Sequence, residues 1–359
     1  MLWRGVEEEW SPEGGSDDEC ERPEAHGWAV GSVPATAPRP TRPTTTPTPS
    51  GPNAPEENQP TVTAVGVDAG GTSTVAALSR DGAHLRESTK PGANATTIGT
   101  DDAADIIITA VRDVLQGESP DAIYVGAAGA GRERVARDLE EMLRIAFRDA
   151  TVRVGDDAAI AFRAAIPDGD GAVLIAGTGS TAYAEHGERT QRVGGLGYLA
   201  GDEGSAFWMG MQAVKLYGRV LDGRANRDET TDLVARALGA PDRERYIEAL
   251  YDEPLRPSKI AALAPSIIAF AGKGNRASTK IVQQAAQELG DLVKSALRAV
   301  ELLDASPRIA LAGGLFRENS LLTFLIEQRL TGDVAGGTIV KGGDEPVRGA
   351  LRLAERLAR

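Results

Sequence analysis

The sequence predicts an α/β protein assembled from two halves of one design. Apolar strands alternate with amphipathic helices from Thr61 onward in a chain of 359 residues. The opening of that region (strand, Gly/Thr turn, strand, tight turn, strand) recurs from Ala172 without sequence identity. Each occurrence puts a glycine-rich turn at the end of an apolar strand. Two such halves facing each other enclose a cleft with one turn from each side.

The first half reads in order. Residues 62–67 alternate as a strand and run into Asp68 and a Gly-Gly-Thr turn. A strand over 74–79, the hairpin turn Asp81-Gly82 and a strand over 84–89 follow. A helix over 101–115 takes Thr100 as N-cap and stops at Gly117. Next come a strand over 123–127, a helix over 132–147 and a strand over 152–155. The second half opens with strands over 172–176, 181–186 and 189–193. Helices are expected over 205–221, 230–238, 243–251, 258–271 and 278–303. A strand over 308–312, a helix ending near 330 and a closing helix over 346–357 complete the pattern. Lobe limits of 61–170 and 171–359 follow, the last helix being able to pack back on the first lobe.

Residues 1–60 differ from the rest. They hold eleven of the twenty prolines, eleven acids against four arginines, and no lysine. Such a segment cannot bury enough apolar surface to offset chain entropy and reads as a disordered tail. Three of the four tryptophans, Trp3, Trp10 and Trp28, lie there and leave a short binding motif as the alternative.

Composition excludes several function classes. With 52 acidic and 39 basic residues the net charge is −13, which repels a polyphosphate backbone, so no nucleic-acid partner is expected. No apolar run reaches the roughly 18–20 residues of a membrane helix, and the start lacks a signal-peptide core. A soluble, cytoplasmic protein is expected. One cysteine and three histidines leave no zinc spacing, no intrachain disulfide and little room for a Ser-His-Asp hydrolase. Any metal must then be held by oxygen, which favours Mg²⁺ and phosphoryl chemistry.

Five motifs carry that chemistry. In the first, Asp68-Ala69-Gly70-Gly71-Thr72, the glycines let backbone N–H groups approach phosphate oxygens and Thr72 adds a hydroxyl. Asp68 at the strand end can hold hydrated Mg²⁺ on those phosphates. The second, Gly177-Thr178-Gly179-Ser180, occupies the matching place in the other half. Either turn alone also reads as an ordinary tight hairpin, whereas the pair reads as a phosphate cradle. No P-loop pattern occurs.

The third motif, Asp156-Asp157-Ala158-Ala159, follows a strand at a helix start, where a carboxylate faces the crevice of an open sheet. One aspartate can cap the helix while its neighbour acts as general base, and Asp157 is the expected base. The fourth runs from Gly194 to Ser205 and reads either as first-turn helix acids or as a polar wall for a hydroxyl-rich ligand. The fifth, Gly313-Gly314 after an apolar strand, is either a plain strand-to-helix turn or a place where backbone meets an adenine ring.

With these motifs in this order, residues 62–358 resemble the N-acetylglucosamine kinase-like group of the BadF/BadG/BcrA/BcrD ATPase family, within the actin, hexokinase and heat-shock chaperone superfamily. Gly201-Asp202-Glu203-Gly204-Ser205 with Trp208 and Gly210, and Pro346-Val347-Arg348-Gly349-Ala350, carry much of the likeness. The resemblance implies a duplicated actin-like ATPase (ribonuclease H-like) fold, two lobes around a nucleotide cleft. It implies ATP and Mg²⁺ as cofactors and phosphorylation of a hexosamine, N-acetylglucosamine or glucosamine, at its 6-OH. Gly70, Gly71, Thr72, Gly177, Thr178, Gly179 and Ser180 then meet the phosphates, Gly313 and Gly314 the adenosine, and Asp68 the metal. Asn94, Asp157, Gly195 and Asp202 match positions lining the sugar, with Asp157 catalytic.

Two departures stand out. Mammalian N-acetylglucosamine kinases carry an aromatic just after the sugar asparagine, where this chain has Ala95 and Thr96. Dehydratase activators of the same family hold an iron–sulfur cluster through cysteines, which residues 61–359 lack. Homodimers are common in such kinases, and the resemblance carries that over as an expectation. The alternative function is a regulatory ATPase that binds nucleotide or sugar without turnover, although Asp68 and Asp157 together argue for an intact site. A chaperone- or actin-like ATPase acting on a protein partner is the third reading.

Overall fold

The computed structural model describes residues 61–251 and 256–359. The tail expected over residues 1–60 lies outside the described residues.

Two five-stranded sheets repeat one topology. In the first lobe β1 (Thr63–Ala69), β2 (Ser73–Arg80) and β3 (Ala83–Pro91) form an antiparallel meander. A short α1 (Ala95–Ile98) and α2 (Thr100–Leu115) lead to β4 (Ala122–Ala127), and α3 (Glu133–Ala146) leads to β5 (Thr151–Asp156). Helix α4 (Asp157–Ala165) then crosses to the second lobe, which opens with the meander β6 (Gly171–Ala176), β7 (Ser180–His186) and β8 (Arg189–Gly194). Helices α5 (Ala206–Leu221), α6 (Glu229–Leu238), α7 (Arg243–Tyr251), α8 (Pro257–Ala261), α9 (Ala264–Gly272) and α10 (Arg276–Ala299) follow. The chain closes with β9 (Arg308–Ala312), α11 (Leu321–Asp333), β10 (Thr338–Val340) and α12 (Pro346–Leu357).

The strand orders are β3-β2-β1-β4-β5 and β10-β9-β6-β7-β8. Read from the meander edge inward they are the same order, with β4 and β5 matched by β9 and β10, all parallel to the strand that opens their half. This is the duplicated, two-lobe actin-like ATPase fold. Strand β10 has no apolar run to announce it in the sequence: three residues, Thr338–Val340, pair with β9 at the sheet edge.

Strand β1 is buried along its length except at Asp68. Its one face is covered by α2, which buries Ala103, Ala104, Ile107, Ala110, Val111 and Val114 at three- and four-residue spacing. The other face receives α12: a Cβ at Gly66 would lie 2.2 Å from the backbone nitrogen of Leu351. Helix α12 in turn crosses α4, since a Cβ at Gly349 would lie 1.9 Å from the carbonyl oxygen of Ile160. Thus the end of the chain packs on the first sheet and on the helix that joins the lobes. Buried Arg163 of α4 is ion-paired with Glu185 of β7 and donates to the carbonyl of Gly169 at 2.8 Å. That arginine ties the connecting helix to the second sheet.

Three local expectations are corrected. Thr100 is the first residue of α2 rather than its cap; Gly99, at φ 93°, takes that place without a side-chain bond. The single helix expected over 258–271 is two, α8 and α9, because Pro265 in the first turn of α9 has no N–H to continue the ladder. The helix expected over 278–303 starts two residues earlier, capped by Asn275, and ends at Ala299.

Candidate active site

The functional side chains sit at the carboxyl ends of the parallel strands, where open α/β sheets bind ligands. In register, Ala69 of β1 stands beside Ala127 of β4, and Ala127 beside Asp156 of β5. Asp68 is therefore one residue inside the edge from which Asp156 and Asp157 project.

The first turn is closed by the Gly70 N–H on the Ser73 carbonyl at 3.0 Å, and Ala93 N–H binds the Gly70 carbonyl at 3.0 Å. Gly92 lies directly beneath it: a Cβ there would be 2.2 Å from the Gly71 carbonyl oxygen. A Cβ on Gly70 would lie 3.1 Å from the Ser73 carbonyl oxygen, whereas Gly71 is open, having only the Asn94 amide within 4.0 Å of a notional Cβ. The Asp68 carboxylate has no hydrogen-bond or ion-pair partner among the described residues, and burial pushes its pKa up to about 6. An uncompensated carboxylate beside a phosphate-ready turn fits the oxygen-only, water-rich coordination of Mg²⁺, which needs one or two carboxylates plus substrate phosphates.

The second turn is held far more tightly. Gly177 N–H binds the Gly179 carbonyl at 2.9 Å, Ser180 Oγ donates to the Glu203 carbonyl at 2.7 Å, and Ser180 N–H donates to Asp202 Oδ1 at 3.3 Å. The start of α5 returns the contact, Ala206 N–H to the Gly177 carbonyl at 2.9 Å and Phe207 N–H to that of Thr178 at 3.3 Å. Gly177 itself faces open space. Asp202, at φ 57°, thus supports the turn through its side chain. Burial raises its pKa, while the N–H groups of Ser180 and Gly197 oppose the rise.

Adjacent aspartates divide the labour at the end of β5. Asp156 is the N-cap of α4, accepting the Ala158 N–H at 2.9 Å. Both its oxygens also take Nη1 of Arg192, at 2.7 and 2.6 Å. Asp157 meets that guanidinium only at 3.5 Å. The Asp157 side chain is 41 % exposed and the Asp156 side chain 15 %, so Asp157 is the one a ligand can reach. Burial and the neighbouring Asp156 charge raise the Asp157 pKa well above the ordinary carboxylate range, with Arg192 opposing them. Against the pull of burial, hydrogen bonds from Asp157, Arg192 and the Ala158 N–H hold Asp156 below it.

Other predicted positions are placed as follows. Asn94 caps α1, its Oδ1 accepting the N–H and hydroxyl of Thr96 at 3.0 and 2.7 Å, and its amide nitrogen points toward Gly71. Gly195, at φ 67°, stands against Arg192: a Cβ there would be 2.5 Å from Nη2. What Gly313 approaches is protein, since a Cβ on it would lie 2.3 Å from the Ala176 carbonyl oxygen at the end of β6. Gly313 also lines a hollow of about 1010 Å³ with Ala312, Phe316 and Val340, and Gly314 one of about 350 Å³ between α9 and residues 314–321, with Pro265, Ile268 and Gly272 on its far wall.

Sequence reasoning missed Arg192, Gly92, Gly129 and Gly131. Gly129 makes room for Thr96, and Gly131 for the Arg192–Asp156 pair, a Cβ there falling 2.9 Å from Nη1. The pattern Arg-Val-Gly-Gly over 192–195 was the available signal for Arg192.

Two lobes of one topology, a glycine turn from each and a carboxylate at the strand ends define the actin-like ATPase class. Residues 65–354 match the BadF/BadG/BcrA/BcrD ATPase family. The chain belongs to that family. An N-acetylmuramic acid/N-acetylglucosamine kinase from Clostridium acetobutylicum is 30 % identical over 206 residues, covering 57 % of this chain and 67 % of that one. An N-acetyl-D-glucosamine kinase from Dictyostelium discoideum is 25 % identical over 309 residues, covering 81 % of this chain and 97 % of that one. The solved structure of a candidate N-acetylglucosamine kinase from Chromobacterium violaceum has the same fold, with TM-score 0.60, 23 % identity, and coverage of 83 % of this chain and 99 % of that one. No helix among the described residues is long and apolar enough to cross a membrane.

Proposed function

We propose that the protein is an ATP-dependent sugar kinase that phosphorylates a hexosamine, N-acetylglucosamine or glucosamine, at the 6-OH, with Asp157 as general base. The observation that carries the reading is the split of the aspartate pair. Asp156 is occupied on both oxygens, while Asp157 is more exposed and its pKa is raised. A base with raised proton affinity is matched to taking a hydroxyl proton near neutral pH. The kinase names of the two curated relatives supply the substrate class.

ATP phosphates would lie between the turns at Gly70–Thr72 and Gly177–Ser180, with the adenosine against Gly313 and Gly314. Asp68 would hold Mg²⁺, which when bound offsets phosphate charge during transfer. Asn94 would offer its amide N–H₂ to the sugar, its oxygen being committed to the α1 cap. Asp202 and Gly195 would line the sugar from the second lobe. Closure of the lobes expels water and aligns the hydroxyl with the γ-phosphate.

The test is ADP release by the purified full chain with Mg²⁺·ATP across glucosamine, N-acetylglucosamine, glucose, N-acetylmannosamine and N-acetylmuramic acid. One amino sugar is expected to stand clear of the ATPase background, with the 6-phosphate as product by NMR. ATP binding without stimulation by any sugar would overturn the kinase reading.

A further inference from the structure

We infer that Arg192 is the positioning residue of the aspartate pair, reaching from the second sheet to neutralise Asp156 and so to govern when Asp157 is free to take a proton. The inference rests on Asp157 acting as the base.

Geometry carries it. Arg192 stands opposite Tyr183 in the β7–β8 ladder, so both side chains leave the same face of the sheet. Tyr183 packs against Ala158, Ala159 and Phe162 of α4, so that face looks at the connecting helix. The next residue, Val193, points the other way into the core of the second lobe. Arg192 is thereby aimed at the start of α4, where Asp156 and Asp157 begin the helix. Its guanidinium runs between two glycines, Gly131 of the first lobe and Gly195 of the second, and a Cβ on either would collide with it. The passage admits this side chain because both walls lack one.

The charges facing Asp157 are few. Asp156 faces it from the end of β5 and Arg192 from β8, while the Ala158 N–H comes from α4 itself. Asp202, from the loop before α5, acts on Arg192 from behind. Removing the cation leaves two adjacent carboxylates repelling each other; Asp156 still accepts the Ala158 N–H of the helix cap, which favours its charged form, so Asp157 keeps its proton to higher pH. Since a single nitrogen, Nη1, makes both Asp156 contacts, a lysine at this position can supply the same point charge.

The experiment follows the acid limb of the kcat/KM profile for sugar phosphorylation in Arg192→Met, Arg192→Lys, Asp156→Asn and Asp157→Asn. The Asp157 carboxyl is titrated in parallel by ¹³C NMR, its signal assigned by its loss in Asp157→Asn. For Arg192→Met the limb and the carboxyl midpoint move up by about one pH unit, equal to a roughly tenfold loss of kcat/KM below the limb. Arg192→Lys restores both toward wild type, and Asp156→Asn, which can still cap α4, moves both down. A limb and midpoint that stay in place in Arg192→Met would overturn the inference, whatever the loss of activity. Should Met not fold at this site, Arg192→Gln serves with the same criterion. Full turnover by Asp157→Asn sinks the base reading instead, and the carboxyl titration reads Arg192 even if no sugar is turned over.

Discussion

The two glycine turns occupy equivalent places in equivalent sheets, yet only the first is preceded by a carboxylate near its strand end. Strand β1 ends Asp68-Ala69 and β6 ends Ile175-Ala176; the penultimate residues pair with Val75 and Thr181 near the start of the following meander strand. Asp68 has no hydrogen-bond or ion-pair partner among the described residues, while Ile175 packs on the apolar cluster around Phe162 and Tyr183. The turn after Asp68 is closed by backbone bonds of its own hairpin, whereas that after Ile175 is bound to the start of α5 by Ser180, Asp202 and two backbone bonds. Duplication supplied one scaffold twice. Charge was placed on the first copy and side-chain bracing on the second.

The largest expected effect lies in the first lobe. Asp157→Asn keeps the fold and lowers kcat by ~10²–10⁴, the usual loss with a positioned base, and Asp156→Asn loses less. Steady-state rates with circular dichroism as control decide this.

Asp68→Asn comes next, raising the half-saturating Mg²⁺ concentration by ~10–100-fold, read from ADP release over a Mg²⁺ series. The same change has an opposite effect on the metal-free protein. Burial raises the Asp68 carboxyl above its unfolded value, so the charged form opposes folding, and stability is lost as pH rises through the window up to about 6. Metal-free Asp68→Asn should therefore melt above wild type at pH 7.5, and the gap should close below pH 4. An equal gap at both pH values would refute the assignment.

Transplanting the charge is the third test. Ile175→Asp places a carboxylate in the apolar cluster around Phe162 and Tyr183 and lowers the unfolding free energy by about 2 kcal/mol in urea melts. Smallest is the glycine contrast. Gly177→Ala leaves stability within about 0.5 kcal/mol, because its Cβ meets nothing, and weakens only ATP binding. Gly92→Ala, whose Cβ would strike the Gly71 carbonyl, is destabilised by about 1–3 kcal/mol as well.

Much of this was legible in the residues. Order and type of nearly every strand and helix follow from periodicity, because hydrophobic alternation reports burial directly. The break at Pro265 was legible too, had the missing N–H been weighed against a continuous apolar run. Strand β10 was not, since three residues at a sheet edge owe their state to the neighbour β9. The glycine turns and the Asp156-Asp157 pair announced a site. What the motif could not tell is that Gly313 lacks a side chain because the end of β6 packs against it, while it and Gly314 also line hollows.

By itself the sequence determined the α/β class, the duplication and the two turns, all properties of local pattern and composition. Tertiary structure decided which aspartate caps and pairs and which is left more exposed, because that depends on an arginine distant in the chain and on the other sheet. It also decided that Asp68 is uncompensated. Proton affinity and charge pairing are set by what lies within a few ångströms in space, and a linear order of residues does not contain those distances.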